Sequence, residues 1–130
     1  MSDLMILAHG GAWETRFQVS SLAASAAAAG EQVEIALFFA ALDSWADGRW
    51  DALDPEPPVS AERLEALGLP PLSTLLAAGR EAGSIRIYAC SASSRILGLD
   101  MARVQQAVDA VLGWQTLSRM TATAGRVVSF

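Results

Sequence analysis

The sequence predicts a single three-layer α/β domain built on a parallel sheet. Three observations carry this. Short apolar runs alternate with helical stretches along the chain, the pattern of strands joined by helical crossovers. The first run, residues 4–8, is apolar at every position, as expected of a central strand covered on both faces. The chain has 130 residues, 52% of them hydrophobic, which supports one core and leaves no room for a second domain.

The elements follow in order. Residues 4–8 form the first strand, broken by His9, Gly10 and Gly11. A helix comes next, with Thr15 as expected N-cap and Gln18 three residues on, in capping-box spacing. Val19, Leu22, Ala23 and Ala26 share one face of it, and Gly30 stops it. Its many alanines suit close approach to the sheet or to another subunit. Residues 33–39 read as the second strand, β-branched and aromatic. Residues 40–59 read as a long loop with at most one helical turn, carrying Trp45, Trp50, five acidic residues and three prolines, Pro55, Pro57 and Pro58. A loop of that length suits function or a partner. Ser60 is the expected cap of a helix over 61–67 ended by Gly68, and Pro71 opens another ended by Gly83. Residues 85–89 form the third strand and deliver Cys90 at its carboxyl end. Ser91 is read as the cap of a short helix to Leu97, and Asp100 as the cap of the next. Residues 108–112 read as a fourth strand, 117–124 as a helix and 126–130 as the last strand. The sum is a flavodoxin-like three-layer domain over residues 1–130.

Composition excludes several function classes. All nine basic residues are arginines, and they are scattered. With no lysine there is no phosphate-loop NTPase and no Schiff-base chemistry, pyridoxal phosphate included. The net charge of -5, with no basic stripe, argues against nucleic acid. The dinucleotide fingerprint GxGxxG and the hydrolase elbow GxSxG are both absent. One cysteine and one histidine make neither a disulfide framework nor a zinc site. The acidic run Asp43, Asp47, Asp51, Asp54 and Glu56 fits no calcium loop and reads as a solvated face. No cofactor and no metal are therefore expected. No export signal or membrane span is read, so a cytoplasmic location is expected, where a lone thiol stays reduced.

Cys90 is the most informative residue. A cysteine that ends an inner strand and precedes a helix lies where amide dipoles can favour its thiolate. Ser91, Ser93 and Ser94 beside it are small and polar, and are expected to leave the sulfur approachable. The opposing reading is a cysteine packed as a small hydrophobe. In a doubly wound sheet the first strand is expected beside the third, which would bring His9, Gly10 and Gly11 next to Cys90. His9 is then the one near-neutral acid or base, or simply a packed turn residue, and the two glycines would admit backbone amides to an anionic sulfur. Trp45 and Trp50 suit an interface, a pocket cover or the core.

The chain resembles the DsrE/DsrF-like family, which includes the TusD-type sulfur-relay subunits. The resemblance rests on residues 4–8, on 33–39 after Gly30, on residues 87–93 around Cys90, on Gly98-Leu99-Asp100, on 108–113 and on 126–130. It implies five mostly parallel strands and assembly as a homo-oligomer, a trimer or hexamer. It also implies a catalytic Cys90 that carries a persulfide and passes sulfane sulfur between a donor and an acceptor protein. Two other readings stand beside it: a non-catalytic oligomeric module binding a small ligand or regulatory partner, and a peroxide-sensing thiol.

Overall fold

The structure, a computed structural model, describes residues 1–56 and 58–130. Pro57, one of the prolines expected in the acidic loop, lies outside the described residues. The strands are β1 (Leu4–Ala8), β2 (Val33–Leu37), β3 (Ile85–Cys90), β4 (Ala110–Leu112) and β5 (Arg126–Ser129). They form one sheet in the order β4-β3-β2-β1-β5, and each pairing is parallel. The helices are α1 (Trp13–Ala28), α2 (Phe39–Ala46), α3 (Ala61–Leu67), α4 (Leu72–Ala82), α5 (Ser91–Ile96), α6 (Met101–Ala107) and α7 (Trp114–Thr123). This is the flavodoxin-like three-layer α/β class. The expected neighbourhood of the first and third strands is not found. β1 lies between β2 and β5, and β2 separates it from β3.

That order decides how the sheet is covered. From β1 to β4 the chain steps across the sheet in one direction, and right-handed crossovers then place every connecting helix on the same face. Only the return from β4 to β5 runs the other way and sends α7 to the opposite face. The two cores follow suit. On the first face Leu4, Ile6, Ala8, Val33, Ile35, Leu37, Ile85, Ile87 and Ala89 are buried against Val19 and Ala23 of α1, Leu42 of α2, Leu76 of α4 and Val104 of α6. On the second, Met5, Ala36, Phe38 and Cys90 meet Leu117, the one buried residue of α7. Each fully buried Leu or Ile contributes roughly 1.5–3 kcal/mol, so the first face dominates stability.

Several local expectations are revised. α1 begins at Trp13, not after Thr15, because the Asp54 carboxylate accepts from the Trp13 N–H at 2.8 Å and caps the helix from outside. β2 stops at Leu37, and residues 39–46 are helical rather than strand and loop. β4 begins at Ala110 and α7 at Trp114. Trp45 and Trp50 join the first core, edge to face at 5.3 Å, with their indole N–H groups donating to Ala107 O and Ser20 Oγ. The acidic run is not simply solvated. Arg49 pairs with Asp43 and Asp47, Arg16 pairs with Asp54, and Asp51 accepts from Ser73.

The part of the second face that α7 leaves open carries Glu34, Arg86 and Tyr88. Glu34 and Arg86 are register partners, and Tyr88 follows on the same side. Burial pushes the Tyr88 phenol up to about 12, and the Glu34 carboxylate beside it adds to the shift. Tyr88 is the one tyrosine, so its titration is read without interference. Tyrosinate absorbance is expected near pH 12 in the folded protein and near the ordinary 10 after unfolding. Between those values the unfolded chain has released the proton and the folded chain has kept it. Stability therefore holds below pH 10 and falls as pH rises toward 12. Glu34→Gln should lower the folded midpoint; a folded midpoint at the ordinary value contradicts this account.

Candidate functional site

The residues to which the sequence assigns chemistry lie at the carboxyl ends of two strands, β1 and β3, which β2 keeps apart. His9 leaves β1 with its side chain exposed, while its N–H donates to Phe130 O at 2.9 Å and its carbonyl accepts from Ala41 N. Gly10 N–H turns to the same Phe130 carbonyl, at 3.4 Å. A Cβ on Gly11 would come within 2.7 Å of the Ala40 Cβ, so glycine here lets the loop lie on α2. Neither glycine is beside the sulfur. The two strand ends are two inter-strand steps apart, about 10 Å.

Phe38 stands between them. The pairing of Ala8, Leu37 and Ala89 puts His9, Phe38 and Cys90 one residue further along the same row, on the second face. Phe38 is buried with Cys90 and stacks on Trp114, the first residue of α7, at 5.1 Å and 27°. Geometry thus removes His9 as a base for the thiol.

Cys90 itself is fully buried, contrary to the approachable sulfur expected from its serine neighbours. It, and not Ser91, is the N-cap of α5, and its Sγ accepts from Ser93 N–H at 3.5 Å. The Ser94 hydroxyl is turned to the Cys90 carbonyl at 2.9 Å. Ser93 and Ser94 are buried and Ser91 half-buried, so no path to the sulfur opens through them.

What does open at this end is a cavity of about 350 Å³ lined by Leu7, His9, Phe38, Phe39, Trp114 and Ser129. Its walls are nearly all apolar. Phe39 and Trp114 remain 43% and 56% exposed, large values for such side chains in an isolated chain. Phe39 also holds φ at +43°, a left-handed backbone that a bulky residue adopts at a cost of order 1–3 kcal/mol. β5 and β2 flank β1 here on opposite sides, at the point where the direction of strand addition reverses. Open α/β sheets bind their ligands at such points. Phe38, Phe39 and Trp114 escaped sequence reasoning because two of them read as the end of a strand. The doubled Phe38-Phe39 before a run of small residues was the available signal.

No family model matches the chain, and no curated protein matches it. Among solved structures it is similar to one described as a protein of unknown function, MTH1491, from Methanobacterium thermoautotrophicum. The TM-score is 0.58 at 14% identity, over 98% of this chain and 97% of that one. The likeness bears on the fold alone.

Proposed function

We propose that the chain is a non-catalytic, homo-oligomeric binding module whose small ligand or regulatory partner seats on the aromatic shelf of Phe38, Phe39 and Trp114. The observation that carries this reading is the contrast at one end of the sheet. The single thiol is fully buried, while an apolar cavity stands open beside it. Such a cavity binds by shape and aromatic contact and has His9 as its one ionisable handle. Self-association is supported by the second face, where Val127 stays 42% exposed; a trimer or hexamer is what the resemblance in sequence implies.

Alkylation tests the reading. Native protein is expected to react with iodoacetamide on the order of a hundredfold more slowly than a model thiol, reaching it only through opening. Denaturant should release one fast-reacting thiol. The same native sample is expected to sediment as a trimer or hexamer. Rapid native alkylation, or a monomer, would overturn the module as stated.

A second reading, the persulfide carrier, is favoured by one observation: the Ser93 N–H directed at Sγ. In it the Cys90 thiolate attacks the outer sulfur of a donor persulfide, and the donor leaves as a thiolate. The resulting Cys90 persulfide yields its outer sulfur to an acceptor thiolate, and the Cys90 thiolate is restored. Both steps require the packing around Cys90, which includes Phe38 and Leu117, to open. Intact mass after incubation with a sulfane-sulfur donor separates the readings. A gain of one sulfur, lost to reductant and absent in Cys90→Ser, establishes the carrier; unchanged mass leaves the binding module.

A further inference from the structure

A second cavity, of about 380 Å³, lies on the helical first face, apart from both the shelf and Cys90. One wall is the stacked pair of Trp13 and Phe17 on α1, with ring centroids 5.3 Å apart and planes at 21°. The other wall is aliphatic, formed by Leu64 of α3, Leu69 of the connection that follows it and Leu75 of α4. The one charged residue of the lining is Asp51, which is exposed, and Ser21 lines the cavity with it.

Asp51 differs from the other aspartates of its run. Asp43 and Asp47 are paired with Arg49, and Asp54 with Arg16. Asp51 has no arginine partner among the described residues. Its two oxygens each accept one hydrogen bond, from Ser73 N–H at 2.7 Å and Ser73 Oγ at 2.6 Å. Both donors are neutral. An ionised carboxylate offers about four acceptor sites, so two remain; apart from the first turn of α4, which Asp51 caps through Ser73, no cationic side chain answers its charge among the described residues. A negative charge on the lining of an aromatic, aliphatic cavity complements an organic cation. The ammonium meets the carboxylate and the aromatic faces, and the hydrocarbon fills the remainder. An anion would meet repulsion, and a neutral hydrocarbon would leave the charge unanswered.

We propose that this cavity binds an aryl-alkylamine as its cation, with the ammonium on Asp51 and the ring between Trp13–Phe17 and the leucine wall. The site is distinct from the shelf and stands whether or not the shelf binds a ligand. A titration of the full chain with three probes of one ring and different charge tests it: phenethylamine, phenylpropanol and phenylpropanoate, followed by calorimetry. The expected result is one saturable site for phenethylamine, about tenfold tighter than for the alcohol, with no binding of the carboxylate. Asp51→Asn should weaken the amine about tenfold and leave the alcohol unchanged, whereas Ile96→Ala, at an exposed residue of α5 outside both cavities, should leave the amine affinity as it was. Equal binding of all three probes, or absence of amine binding at millimolar concentration, overturns the proposal. If Asp51→Asn disturbs α4, the charge series on the unmodified chain still decides, because it needs no variant.

Discussion

Arg16→Ala is expected to lower the unfolding free energy by about 3–5 kcal/mol, the range for removing one partner of a buried ion pair. Arg16 is only 3% exposed although it carries a full charge. Its guanidinium is answered on every side. Nε donates to Gly11 O at 3.1 Å, Nη1 to Arg49 O at 2.8 Å and Trp50 O at 2.6 Å, and Nη2 to Asp54 at 3.0 Å. Truncation leaves the Gly11 and Trp50 carbonyls without the Arg16 donor and takes one donor each from the Arg49 carbonyl, which keeps Ala52 N–H, and from the Asp54 carboxylate, which keeps Trp13 N–H. It also unties the segment 49–54 from the start of α1, since Asp54 caps that helix through Trp13 N–H. Arg16→Lys should restore little, because an ammonium cannot spread donors in a planar fork. Urea unfolding monitored by tryptophan fluorescence measures the loss. A decrease under about 1 kcal/mol would mean that these bonds form equally well with water.

The second large effect is expected from Leu117→Ala. Leu117 is the sole buried residue of α7, and it packs in the small second-face cluster with Met5, Ala36, Phe38 and Cys90. Losing that side chain should cost about 2–5 kcal/mol. It should also speed alkylation of Cys90 on the order of tenfold or more, because the thiol lies in the same small cluster. Leu76→Ala is the control, a comparable deletion in the larger core of the first face. It should cost similar stability and leave the thiol protected by α7. Equal acceleration in both variants would show that the sulfur is reached only when the whole domain unfolds.

Legibility in the sequence followed the range of the interaction. Ser60 and Asp100 were read as helix caps, and they accept from Arg63 N–H and Ala102 N–H. Those contacts span three residues or fewer and need no knowledge of the fold. Gly68 and Gly83 end α3 and α4 at φ of +66° and +78°, again a local matter. Thr15 was misread for the opposite reason. The cap of α1 comes from Asp54, forty-one residues away from Trp13, and no spacing rule reaches that far. Residues 38–42 are apolar throughout, so strand and helix periods fit them equally, and α2 was hidden in the ambiguity. The strand at which Cys90 ends was legible. Its burial was not, because the cover over it depends on strand order, which alternation of apolar runs does not encode. The same order undid the expected meeting of His9 and Cys90.

The pairing of β1 with β5 joins Leu4 to Arg126. β1 is apolar at every position, and one of its two edges has no partner until residues 126–129 have been synthesised. Throughout translation it offers an open row of amides and carbonyls to any similar strand nearby. Closure across so long a stretch of chain is slow, and the nascent protein is therefore most prone to aggregate just before its sheet is complete.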